Sequence, residues 1–433
     1  MARVDLIIRG RRVYSTGGPG PAAIHIAAGR IASIEPYDAP VTAPLFDAGD
    51  YPVLPGLVDS HVHINDPGRA EWEGFETATQ AAAAGGVTTV VDMPLNSVPA
   101  TTSLAGLKAK REAARRRCWV DVGFWGGVVP GNTAELTGLA AGGVLGFKCF
   151  LTPSGVDEFP NVSEGDLQEA APELARLGAT LLVHAEWPAL LRPVAGDPRL
   201  YRNFLDSRPR GSEYEAIARM MALSRAHGVR VHIVHLSSAD ALPMLRQARA
   251  EGLPVTVETC PHYLTFAAED IPDGATEFKC APPIRERENA GRLWAALEEG
   301  VIDLVATDHS PCPPAMKAGD FATAWGGIAS LQLSLGIMWN RARPERLSAW
   351  MSAAPARLAG IYGHKGAIAP GFDADIAIWN PDAEPAALLH RHKLTPYRKE
   401  QYPGAVEATF LRGEKIYERG AFVSVPSGTI LGP

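Results

Sequence analysis

Cysteine is scarce, and no two of its residues form a CxxC pair: Cys118, Cys149, Cys260, Cys280 and Cys312 are odd in number and dispersed. That spacing argues against a disulfide framework and a thiolate zinc site, and it fits a reducing compartment, so a cytoplasmic location is expected. Long apolar runs are missing too. No stretch approaches the ~20 residues that span a bilayer, and Asp5 puts a charge where a signal peptide would need its apolar region. No membrane association is expected. Charge of one sign is also lacking, since the formal net charge is only -7. The basic residues are scattered apart from Arg115, Arg116 and Arg117, which fall where a helix would end and suit its dipole better than a nucleic acid. Short-period repeats and low-complexity tracts are absent.

What is present is length and two kinds of periodicity. The 433 residues exceed the ~250 of a typical (β/α)8 barrel, which leaves room for a second lobe. Residues 4–10 and 24–34 alternate in period two, with glycine at the expected turns, and a matching set returns at 374–379 and 405–417. Neither end has enough strands to close a core. One composite β-sandwich built from both termini is therefore expected, its parts at residues 1–52 and 366–433.

Between them, over 53–365, short apolar strands alternate with helical stretches, the pattern of βα units around a parallel sheet. Strands are predicted at 57–61, 87–92, 119–124, 144–150, 180–184, 230–235, 254–258 and 302–307. Helices are predicted at 74–84, 104–117, 167–177, 213–227, 239–251 and 290–299. Eight such units match a closed barrel, so the predicted fold class is α/β, a TIM barrel with a small β lobe. Two connections, 186–211 and 261–285, are long and rich in proline, arginine and charge, as expected of loops covering a substrate.

The chemistry starts at Gly56-Leu57-Val58-Asp59-Ser60-His61-Val62-His63. Side chains alternate along a strand, so His61 and His63 point the same way. Two imidazoles on one side can grip one ion, provided that further donors arrive. Other predicted strands end in His184, in His235 beside Ser237, and in Asp308. His232 lies about 10 Å earlier along its strand, so His235 is the better ligand. Strand four adds Lys148 inside Gly-Phe-Lys-Cys-Phe. Lysine is almost never buried without a partner, and an ammonium beside metal cations would be depressed by burial and like charge. A neutral amine that captures carbon dioxide becomes a carbamate, an anion able to bridge two metals.

Together, His61, His63, Lys148, His184, His235 and Asp308 resemble the site of the cyclic amidohydrolases, the dihydroorotases, hydantoinases and allantoinases. The likeness covers nearly the whole chain, the composite β lobe included. It implies a binuclear centre in which His61, His63 and Asp308 hold one metal, His184 and His235 the other, and Lys148 bridges both as an N6-carboxylysine. Zinc is the first expectation, although imidazole and carboxylate also accept cobalt, manganese, nickel or iron. Metal-bound water can have its pKa lowered to about 7. Asp308 would take the proton of a bridging hydroxide and pass it to the departing amide nitrogen, so it is the expected catalytic residue.

Dihydroorotases resembling this chain carry an arginine two residues after the second metal histidine, where Asn65 stands here. Hydantoinases carry a tyrosine in the loop after the bridging lysine, and residues 151–162 contain none. The passages Asn65-Asp66-Pro67-Gly68-Arg69, Asp92-Met93-Pro94-Leu95-Asn96-Ser97, Glu258-Thr259-Cys260-Pro261-His262-Tyr263-Leu264 and Lys279-Cys280-Ala281-Pro282-Pro283 are most similar to the allantoinase branch. That resemblance implies opening of the hydantoin ring of allantoin to allantoate, with Asn65, Asn96, Ser154, Ala281 and Gly326 as substrate contacts, and a homotetramer. The alternatives are a hydantoinase-like or dihydroorotase-like hydrolase and, from another class, a non-catalytic scaffold, which would be expected to lose metal ligands.

Overall fold

The structure, a computed structural model, describes residues 3–432. Strands overlap all eight central stretches: Leu57–Val62, Val87–Asp92, Asp121–Phe124, Phe147–Phe150, Thr180–His184, Arg230–Ile233, Val255–Thr259 and Leu304–Val305. Apart from Thr180, Arg230 and Thr256 their residues are buried, as parallel strands covered on both faces must be. Parallel pairing forms one run from Leu57–Val62 to Asp121–Phe124 and another from a short strand, Gly126–Gly127, to Leu304–Val305. Backbone bonds close the two gaps, Leu145 to Phe124 at 2.9 Å and His63 to His309 at 2.8 Å. The result is a (β/α)8 barrel.

Helices pack outside it with local stop and start signals. Ser163 and Asp166 form a capping box that opens Glu164–Leu177, and Gly178 closes that helix in the left-handed conformation. Helix Leu104–Ala114 stops before the arginine run. Arg117 serves that helix end as expected, its Nη1 donating to the Ala113 carbonyl of the last turn at 3.0 Å, and it also reaches Asp66 at 2.9 Å in the loop beyond His63. The connections read as loops also carry helices, Tyr201–Ser207 and Pro261–Thr265.

The terminal strands join by hydrogen bonds into one nine-stranded sheet, in which Pro52–Pro55 links Leu6–Ser15 to Ile376–Asn380. The tip of the hairpin at Gly29 packs against Arg412, and Gly413 abuts Ile26. The sheet thus bends back over a core of its own, including Ile8, Ile24, Ile31, Ile376 and Phe410. Some residues beyond 366 leave the sheet: Leu389 and Arg391 bond to Gln332 and Glu73 of the barrel, and Leu431 bonds to Val122.

A buried ion cluster fixes the two parts together. Asp121 on a barrel strand accepts from Lys365 Nζ at 2.5 Å, from Arg412 and from Thr429, while Lys365 also meets Asp373 and Asp375 at 2.9 and 2.7 Å. Asp121, Asp373 and Asp375 lie close enough to hold a cation. The ammonium of Lys365 fills that role.

Candidate metal centre

The six residues expected as ligands arrive at one barrel mouth, and all six are buried. Asp308 Oδ1 lies 3.1 Å from His61 Nε2 and 3.4 Å from His63 Nε2. The His235 ring sits 5.5 Å from that of His61 and 4.6 Å from that of His184. His184 stacks on Phe150 at 4.6 Å, and Lys148 Nζ stands 4.9 Å from the same ring. His235 and Asp308 hold φ of 41° and 47°. Left-handed backbone costs a non-glycine residue of order 1–3 kcal/mol and persists where surrounding structure enforces it. Here it turns the chain just past each strand end and aims the side chain inward.

A second layer holds these groups in place. Glu258, fully buried on strand Val255–Thr259, accepts from His61 Nδ1, from His232 Nε2 at 3.0 Å and from the His235 backbone at 3.2 Å. Burial would lift its pKa, but the His61 and His232 contacts hold it well below the usual carboxylate range. Glu186 Oε2 lies 2.8 Å from His184 Nε2 and is itself gripped by Arg208. Fixing those outer nitrogens turns His61 Nε2 and His184 Nδ1 toward the centre. The Asn96 amide faces His63 Nδ1 at 3.4 Å, and its oxygen has no other partner. With that amide turned so that oxygen accepts from Nδ1–H, His63 Nε2 is likewise left bare for a ligand.

Burial lowers the pKa of Lys148 to about 8 despite the carboxylates of Glu258 and Asp308. Burial would depress His61 as well, but Asp308 and Glu258 carry it up to about 9; His63, less well compensated, falls to about 4. Lys148 Nζ and His235 Nδ1 are buried without a hydrogen-bond partner. Orphaned donors of this kind are costly. A space bounded by imidazole nitrogens, one carboxylate and an unpartnered amine fits divalent cations of nitrogen and oxygen preference. His61, His63 and Asp308 place one ligand atom each within 4.8 Å of one another, and Cys260 and His262 approach Asp308 as closely.

The expected substrate contacts divide. Asn96, Ser154, Ala281 and Gly326 line a chamber of about 90 Å³ over the centre, with Leu95, Phe150, Arg208 and Trp325. Asn96 faces a metal histidine, and the Ser154 hydroxyl is spent on the Phe159 carbonyl of its own loop at 2.6 Å. Asn65 is not among the residues lining the chamber. Its φ is 66°, and its amide nitrogen donates to the Pro311 carbonyl at 3.4 Å while its oxygen has no partner. The chamber opens into a vestibule of about 840 Å³ that shares Pro153, Ser154, Arg208, Ala281, Trp325 and Gly326. The supporting roles of Glu258, Glu186, His232 and Arg208 escaped the sequence reading, which weighed His232 only as a ligand. A charged residue inside a buried strand, the signal that exposed Lys148, was equally available for Glu258.

Residues 53–416 match the family described as the amidohydrolase family. The chain belongs to it. Among other proteins, the allantoinase of Streptomyces avermitilis is 52% identical, covering 100% of this chain and 99% of that protein. The allantoinase of Saccharomyces cerevisiae is 47% identical, with 88% and 86% covered. Among solved amidohydrolase structures, the L-hydantoinase from Arthrobacter aurescens superposes with a TM-score of 0.93 at 32% identity, covering 100% of both chains. In this family setting the donor set at the barrel mouth is that of a divalent metal centre.

Proposed function

We propose that the chain hydrolyses the cyclic amide bond of allantoin to give allantoate, using Asp308 as general acid and base beside two divalent ions, zinc in the first instance. The observation that carries this reading is the convergence of His61, His63, His184, His235 and Asp308 on the unpartnered Lys148 amine, in a chain that is similar end to end to allantoinases. In this reading His61, His63 and Asp308 hold one ion, and His184 and His235 the other. Lys148 as a carbamate would help to hold both: its neutral amine, accessible because burial lowers the pKa to about 8, would add to carbon dioxide and release a proton. Divalent ions, when bound, polarise a carbonyl and make water a stronger acid.

The chain's own groups do the rest. Asp308 is held ionised, its pKa well below the usual range: burial would raise it, but His61 and His63 more than compensate. It can accept the proton lost by the attacking water and deliver it to the ring nitrogen as the C–N bond breaks. Leu95, Phe150 and Trp325 give the chamber an apolar wall. A kinetic comparison of allantoin, dihydroorotate and simple 5-substituted hydantoins on the purified protein tests the assignment; preference for either of the latter two refutes it.

Among the described residues no helix is long and apolar enough to cross a membrane. The five cysteines are unpaired and buried, which supports a reducing, cytoplasmic location. The assembly implied by the family likeness is a homotetramer, to be checked by light scattering on eluted protein. We keep the division 1–52, 53–365 and 366–433 as its domain organisation; limited proteolysis near residues 52 and 366 tests the seams.

A further inference from the structure

Arg208 lines both the chamber and the vestibule, yet nothing in the reaction scheme above uses it. It follows helix Tyr201–Ser207, and its fork is already half engaged: Nε donates to Glu186 Oε1 at 2.9 Å and Nη2 to Glu186 Oε2 at 2.6 Å. Glu186 is wholly buried, whereas the Arg208 side chain keeps 21% of its surface. A guanidinium is planar, so locking Nε and Nη2 on one carboxylate presents the two N–H bonds of Nη1 on another edge in a fixed direction. Among the described residues no acceptor meets Nη1. Lys279, the vestibule's nearby amine, is spent on the Ala322 and Ala324 carbonyls at 3.2 and 2.5 Å.

The charge balance says what kind of acceptor fits. Glu186 cancels the charge of Arg208, and its other contact is the neutral-side imidazole of His184 at 2.8 Å. Nη1 is thus an oriented donor in a pair of zero net charge. Such a donor favours a neutral carbonyl over a second carboxylate, which would meet Glu186 just behind the guanidinium. Resting on the allantoin reading above, we propose that Arg208 Nη1 donates to the carbonyl of the substrate's exocyclic ureido arm. The hydantoin ring then occupies the inner chamber and the arm extends to the vestibule side. Arg208 is accordingly a specificity-determining residue, held rigid by the carboxylate that also orients His184.

The test is a substrate series on the metal-loaded, full-length enzyme and its Arg208→Lys variant. Lysine preserves a cation for Glu186 and removes the fork. For allantoin, kcat/KM should fall by about 10- to 100-fold, the range for losing a hydrogen bond to a charged group. For hydantoins bearing a 5-alkyl group in place of the ureido arm the fall should be smaller by at least about 5-fold, because those substrates register only the changed hold on Glu186 and His184. An equal fall for both substrates, or a fall that tracks lost metal, assigns Arg208 a structural role and overturns the inference. A second measurement needs no variant: a short N-alkylurea should inhibit the wild-type enzyme competitively, whereas the matching N-alkylguanidinium, which offers no acceptor, should not. Equal inhibition by the two also overturns it. Should the wild-type enzyme open simple hydantoins and leave allantoin intact, the underlying functional reading fails instead.

Discussion

Replacing Glu258 by glutamine exchanges one carboxylate oxygen for an NH2 group and leaves the volume nearly alone, so it isolates what a carboxylate does behind the metal centre. Glu258 accepts three bonds, from His61 Nδ1, His232 Nε2 and the His235 backbone. A glutamine oxygen can serve His61 and the backbone, but its NH2 must then face His232 Nε2, donor against donor. His232 can escape by moving its proton to Nδ1, where Thr256 Oγ1 lies at 2.8 Å. The net loss is one bond to a charged acceptor and the negative charge beside His61. Hydrogen bonds to charged groups contribute about 1.5–3 kcal/mol, which is about a 10- to 100-fold loss of metal affinity. The escape through Thr256 places the expected result near the lower end. Competition between protein and a chromophoric chelator measures the affinity directly, and a melt of the metal-free protein checks the fold. Metal affinity within about 2-fold of wild type would show that Glu258 does not orient His61, and the reasoning about that layer would be refuted.

Other perturbations reach the seam, the centre and the mouth of the chamber. Lys365→Met leaves Asp121, Asp373 and Asp375 facing one another with only Arg412 in reach of Asp121; a loss of about 3–5 kcal/mol in denaturant melts is expected, as for a buried pair cut on one side. In the intact cluster Lys365 and Arg412 overcome the burial of Asp121 and depress its pKa. Its contribution is therefore complete above the unfolded value of about 3.9 and lost as pH falls through the lower folded value, so acid melts of wild type should show seam loss only below about pH 4, and Lys365→Met should shrink that step. Asn96→Ala removes the group facing His63 Nδ1 and should weaken metal retention by about 10-fold, measured by dialysis against chelator. Arg69 bonds Glu158 and the Asn96 carbonyl and lies 5.2 Å from the ring of Trp72, which packs on Trp325 of the chamber wall. Arg69→Ala should raise KM for allantoin by about 2- to 5-fold with kcat retained, the scale of a partly exposed ion pair; an unchanged KM would separate that loop from substrate closure.

What could be read from the sequence follows from which physical signals are local. A charge or imidazole inside a buried strand or directly after it violates the apolar pattern at that position, and His61, His63, Lys148 and His184 were visible for that reason. Eight apolar runs spaced by helical stretches fixed the barrel, because covered parallel strands leave little freedom in composition. The rest depends on backbone turns and on partners far away in the chain. Asn65 sits two residues past a metal histidine, but its φ is left-handed and its amide donates to Pro311, some 246 positions on. Arg208 lay in a segment read as irregular, and only its bidentate hold on Glu186 shows which edge of the guanidinium faces ligand. Lys365 reads as an ordinary charge until three aspartates from separate strands and loops close around it. In this fold the groups that would touch metal are legible because they lie in buried strands or just past their ends. Those that would choose the substrate come from the loops beyond strand ends, where no periodicity constrains direction, so specificity is the property that sequence pattern alone conveys least.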